Sequence, residues 1–224
     1  MSTLLLLKLF LAPTFVALVT VIQSRWGDGI GGKLIGLPLT TGPFIYIIYQ
    51  QEGRSFAGQA AHGVLVGQIS LIIYTWSYAK AATKLDGIPA LSVGTAACIA
   101  SGLALTSFSI ALTPLLIALL LFWLLATKFW PKFPEVAHTT SPPRWELPVR
   151  MAVTVFLILI LSGSASVLGP RLAGALSTYP VIASVLGVFN HKRFGPGATI
   201  ATLKGLVATL PLTIVLMASL AIAL

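Results

Sequence analysis

The chain contains a single cysteine, Cys98, which excludes an intramolecular disulfide and a cysteine-built metal centre. Acidic residues are scarce. Asp28, Glu52, Asp86, Glu135 and Glu146 are the full set, and each falls between apolar runs or at the edge of one. No carboxylate stands inside an apolar run to hold a metal or an ammonium ion, or to relay protons. The sequence also lacks a His-Glu-x-x-His pattern and a Gly-rich phosphate loop followed by Lys-Ser/Thr. No serine has a histidine and an acid at credible positions beside it. Cys98 sits among small apolar residues, where a thiol is an inert packing group. An enzyme is not expected, and neither is a cofactor or a bound metal.

Charge of either sign is rare, at 8% of residues, whereas 57% are hydrophobic. The mean hydropathy is +0.97, more apolar surface than a soluble domain of this length could bury. The sequence predicts an all-α polytopic membrane protein. Its net charge of +9 would suit a nucleic-acid binder, but the basic residues lie between apolar runs, so nucleic acid is not an expected partner. The N-terminal apolar run has almost no basic region and no convincing small-residue cleavage site, and reads as a retained first span.

The apolar segments divide into about eight crossings of about 17 to 25 residues each. They run from Leu4 to Ile22, through Lys33 to Tyr49, from Ala57 to Tyr78, twice across Pro89 to Trp130 with a turn at Ser107–Ser109, from Val149 to Ala165, from Leu168 to Phe189, and from Gly197 to the end. Gly27 to Gly32 reads as a flexible lead into the second span. Lys128 to Pro148 reads as a surface linker. The expected divisions are a first three-helix unit at 1–86, two additional spans at 87–130, a cytoplasmic linker at 131–147 and a second three-helix unit at 148–224. With eight spans, Arg25, Lys33, Lys80, Lys84, Lys128, Lys132, Arg144, Arg150, Lys192 and Arg193 share one side, against Lys8, Arg54 and Arg171 on the other. That bias places both termini outside the cytoplasm.

One stretch is at odds with a continuous span. Lys33 to Pro43 carries Gly36, Pro38, Gly42 and Pro43, with Thr40 and Thr41 at the centre. A second copy runs from Arg171 to Pro180, pairing Lys33 with Arg171, Gly36 with Gly174, Thr40-Thr41 with Ser177-Thr178 and Pro43 with Pro180. Gly53 then matches Gly195, and His62-Gly63 matches Lys204-Gly205. Five spans separate the copies, so spans 1–3 and 6–8 would form an inverted repeat with broken helices 2 and 7. Packing kinks are the plain alternative, since Gly and Pro are ordinary in membrane helices. In span 4, Gly94, Cys98 and Gly102 form a small-residue stripe suited to an internal helix contact or to a homodimer.

The motifs Ile35-Gly36-Leu37-Pro38-Leu39, Pro43, Pro89-Ala90 and Gly94-Thr95-Ala96-Ala97-Cys98 resemble the small bacterial GlpM-type inner-membrane proteins over roughly residues 1–106. The resemblance implies a bacterial inner-membrane location and a duplicated ancestor. It implies no chemistry and no site residues.

A half-helix that starts after a break offers unpaired N–H groups and a positive dipole end. The expected binding residues are Pro38, Thr40, Thr41, Gly42, Pro43, His62, Arg171, Ser177, Thr178, Pro180 and Lys204. Hydroxyl donors and positive charge dominate this set, which suits an anionic or amphiphilic solute. The expected function is secondary transport by alternating access. A flippase for anionic head groups, an anion channel and a structural membrane subunit are the alternatives.

Overall fold

The computed structural model describes residues 3–39, 41–105, 108, 110–134, 143, 145–160 and 179–224. Every described regular element is helical: α1 (Thr3–Trp26), α2 (Asp28–Gly36), α3 (Thr41–Glu52), α4 (Arg54–Ala82), α5 (Gly87–Leu105), α6 (Leu112–Lys128), α7 (146–160), α8 (Val181–Phe194) and α9 (Pro196–Ala223). Three of them, α4, α5 and α9, are long and apolar enough to cross a membrane.

The core forms around α4 and α9. Leu65, Ile69 and Ile72 of α4 are buried together with Leu203, Leu206 and Leu210 of α9, and Leu115 and Leu119 of α6 close the cluster. The two long helices run antiparallel. At the start of α4 the Arg54 guanidinium donates to the carbonyl of Ala223. A Cβ added at Gly58 would lie 3.1 Å from the backbone of Leu224.

Three corners join helices through one residue each. Gly27, Gly53 and Gly195 have φ of 90°, 85° and 81°, with ψ near 180°. That region is open to glycine and closed to residues with a Cβ. Each glycine N–H caps the preceding helix, reaching Gln23 at 2.9 Å, Tyr49 at 3.1 Å and His191 at 2.9 Å. Because α4 and α9 are antiparallel, the Gly53 and Gly195 corners stand at opposite ends of the bundle.

Helix contacts then sort the ends. Trp76 Nε1 donates to Phe129 O at 3.2 Å, bringing the ends of α4 and α6 together. Gly87, opening α5, lies against His191 near the end of α8. Asn190 of α8 reaches Asp28 of α2. One end of the bundle therefore gathers Arg25, Lys80, Lys84, Lys128, Arg150, Lys192 and Arg193, while Arg54 marks the other.

The proline-rich stretch interrupts the backbone as the sequence predicts. Helix α2 stops at Gly36, residues 37–39 form a tight turn, and α3 starts at Thr41. The carbonyls freed at the end of α2 are not left bare. Thr209 Oγ1 donates to Lys33 O at 2.8 Å and Thr213 Oγ1 to Gly36 O at 2.7 Å, both from α9. A broken helix away from water requires such partners.

Two expectations are revised. Gly27 to Gly32 is not a flexible lead: Asp28 to Gly36 is helical, and its glycines form a contact face. A Cβ at Gly32 would collide with the carbonyl of Thr202, one at Gly36 with Leu206 O and Thr209 Oγ1, and one at Gly205 with Gly29 O. Glycine lowers helix propensity, but here it permits backbone-to-backbone approach. The surface linker also ends earlier than Pro148, because α7 is already helical at residue 146. The small-residue stripe of α5 faces inward: Gly94 packs on Tyr78 and Tyr74, and Cys98 is buried.

Candidate functional site

Two sets of polar groups stand out, one at mid-depth and one at the basic end. With 12 and 14 residues, α3 and α8 measure about 18 and 21 Å along their axes, against about 43 Å for α4. Each ends at its glycine corner, so each begins near the middle of the bundle, and the two come from opposite ends.

Of the expected binding residues, Pro38 lies in the turn between α2 and α3, and Thr41, Gly42 and Pro43 open α3. Thr41 Oγ1 is buried and has no hydrogen-bond partner. Gly42 donates its N–H to Pro38 O at 2.9 Å, and space is open where its side chain would be. Pro180 is the N-cap of α8. Thr40, Arg171, Ser177 and Thr178 lie outside the described residues. His62 is half-buried on α4, and Lys204 is exposed on α9. The structure does not bring those two together. His62 lies eight residues after Arg54 and Lys204 nineteen before Ala223, and the difference of eleven residues is about 16 Å along the shared axis.

At the basic end, side chains from five helices converge. Glu146 and Arg150 of α7 form an ion pair one turn apart, and Arg193 of α8 pairs with the second oxygen of the same carboxylate. Arg150 also donates to Asn190 Oδ1 at 3.2 Å and to Thr20 Oγ1 of α1 at 3.3 Å. Its guanidinium carbon sits 5.2 Å from the centre of the Phe189 ring. Asn190 Nδ2 donates to Asp28 Oδ1 at 3.0 Å and to Thr202 Oγ1 of α9 at 3.1 Å. Gln23 Nε2 of α1 donates to the same Thr202 hydroxyl at 3.0 Å. Arg150 is 2% exposed and Glu146 4%. Two carboxylates, Asp28 and Glu146, balance two guanidinium groups, so the cluster is formally neutral. Mutual pairing is what permits such burial, because an unpaired ion here would cost several kcal/mol, on the order of 3–5.

The sequence gives this cluster away only in part. Asn190 and Thr202 are polar residues within apolar runs, but Asp28 and Glu146 read as loop acids, and Arg150 and Arg193 as residues that orient the chain. The usable signal was the four-residue spacing of Glu146 and Arg150, which on a helix makes an ion pair. Among the described residues no group of three or more His, Cys, Asp or Glu side chains could hold a metal ion. No protein-family model, no curated protein and no solved structure matches the chain.

Proposed function

We propose that this protein is a small secondary transporter of a bacterial inner membrane, moving an anionic or amphiphilic solute by alternating access. One observation carries the reading. Two half-helices, α3 and α8, begin at mid-depth, come from opposite ends, and turn through Gly53 and Gly195 with the same backbone conformation into core helices of 29 and 28 residues. Such a pair is what an inverted repeat with two broken helices produces, and transporters of this type bind substrate where the breaks meet. In this reading the protein crosses the membrane about eight times, as the sequence predicts. Its basic end faces the cytoplasm.

The ion-pair cluster then has a place in the cycle. It links α1 and α2 of the first repeat to α7, α8 and α9 of the second at the cytoplasmic end. Formed, it closes that end. Opening towards the cytoplasm requires the Glu146–Arg193 and Asn190–Asp28 links to part and take up water.

The test is flux in proteoliposomes made with purified protein, using a panel of labelled anions: chloride, phosphate, lactate and a short-chain alkyl sulfate. Saturable uptake of at least one, abolished by excess unlabelled anion, supports the proposal. Resolved single-channel current steps would assign a channel instead. Scrambling of fluorescent anionic lipid without solute uptake would assign a flippase.

A further inference from the structure

Helices α2 and α9 run parallel, since Gly32 packs on Thr202 and Gly36 on Leu206, and both start at the basic end. Their crossing carries two cations that the buried ion-pair cluster does not use. A Cβ added at Gly205 would lie 2.8 Å from Lys33 N, and Lys204 is the residue before it, with Cα atoms about 3.8 Å apart. The backbones of Lys33 and Lys204 are therefore neighbours across the crossing. Gln23 of α1 and Asn190 of α8 occupy its inner side, where both reach Thr202. Lys33 and Lys204 are both exposed, so their side chains leave by the outer side.

Neither lysine pairs with a carboxylate among the described residues. Asp28, the acid on α2, is buried and accepts from Asn190. Two like charges side by side repel, and more strongly where lipid lowers the dielectric. An anion between them removes that repulsion. We propose that Lys33 and Lys204 hold the head group of an anionic phospholipid, with an acyl chain lying along α9. This rests on the membrane placement proposed above, and not on transport.

Depth and residue order select a lipid over a free anion. Lys33 lies six residues past the Gly27 corner and Lys204 nine past Gly195, about 9 and 14 Å from the basic end. Side chains on a helix lean towards its N-terminus, which for both helices is the basic end. Both ammonium groups therefore reach the head-group layer, as lysines near span ends do. Beyond Lys204, the residues Ala208, Leu212 and Val215 follow on the same face of α9 and are exposed. Charge towards the surface and apolar side chains towards the membrane centre match the order of a phospholipid in that leaflet. The floor between the lysines is bare backbone, because positions 29 and 205 are both glycine. Basic pockets between helices on the cytoplasmic side are a recurrent form of head-group site.

Phosphatidylglycerol and phosphatidylcholine, added to the full-length protein in detergent, test the site. Phosphatidylglycerol should raise the thermal unfolding midpoint in a saturable way, and native mass spectrometry should show it retained. Phosphatidylcholine, whose head group carries no net charge, should do neither. Lys33→Gln and Lys204→Gln should each weaken phosphatidylglycerol binding by about fivefold, the contribution of one basic residue near a lipid surface. Lys33→Arg and Lys204→Arg should keep it. Lys84→Gln, exposed just past the end of α4, removes a like charge elsewhere at that end and should bind as the parent does. All of these side chains are exposed, so the variants fold. Equal midpoint shifts with both lipids overturn the site, as does parental affinity in both glutamine variants or an equal loss in Lys84→Gln. Soluble glycerol phosphate should give no shift; one as large as the lipid's assigns a free phosphate ester and overturns the lipid. The two proposals fail separately. Anion flux in a protein with no preference for phosphatidylglycerol overturns this site and leaves the transport reading standing. Phosphatidylglycerol binding that the glutamine variants weaken, in a protein that moves none of the anion panel, keeps the site and removes transport.

Discussion

The indole N–H of Trp123 donates to the carbonyl of Val207 at 2.9 Å, and Val207 is the residue whose helical donor is missing because position 211 is proline. A proline inside a helix leaves the carbonyl four residues earlier without its partner. Helix α6 supplies the substitute and is thereby pinned to α9. Trp123→Phe should lower stability by about 1–3 kcal/mol, the cost of an unsatisfied buried carbonyl plus some lost packing. Thermal unfolding in detergent measures it. In a Pro211→Ala background, where residue 211 again has an N–H, the same change should cost clearly less. Equal losses in both backgrounds would mean that the indole contributes packing only.

Glu146 holds two guanidinium groups at once, those of Arg150 and Arg193. Glu146→Gln should destabilise by about 3–5 kcal/mol, since it leaves two like charges poorly compensated in a buried place. Glu52→Gln, on an exposed residue at the opposite end, should stay within about 0.5 kcal/mol of the parent. Denaturant unfolding of the two variants side by side reads the difference. Equal stability would show that water already reaches the cluster.

The α2–α9 crossing depends on missing side chains. Gly32→Ala should destabilise strongly, because the new methyl group meets the Thr202 backbone rather than a side chain that could move aside. Gly63→Ala on α4, where nothing lies within 4 Å, should gain about 0.5–1 kcal/mol from helix propensity. Opposite signs in the two unfolding midpoints are the expected outcome. A neutral Gly32→Ala would mean that α2 is free to shift away from α9.

Local chemistry made the broken helix legible. Pro38 lacks an N–H wherever the chain goes, so a gap near it follows from sequence alone. The run from Pro89 to Trp130 is too long for one crossing, so its division into α5 and α6 follows from length. The small-residue stripe at Gly94 and Cys98 was legible from its four-residue spacing, although its partner, the tyrosine face of α4, was not. The partners of the break were also hidden, because Thr209 and Thr213 lie more than 170 residues from the carbonyls they satisfy. The charged cluster was hidden for a third reason. Arg150 and Arg193 look the same in sequence whether they face solvent or Glu146, and only the fold brings α7 and α8 together. Glycines 29 and 32 suggested flexibility because propensity weakens a helix there, and tertiary contact with α9 overrides it.

Two inverted halves in a membrane would place the Gly53 and Gly195 corners on opposite sides of it. The most direct measurement labels one cysteine at each corner with a membrane-impermeant maleimide, in a Cys98→Ala background. Ser55→Cys and Lys192→Cys suit this, since both positions are exposed beside their corners. Position 55 should react in intact cells, and position 192 only after the membrane is permeabilised. Labelling of both positions from the same face would contradict the inverted arrangement and the transport reading built on it.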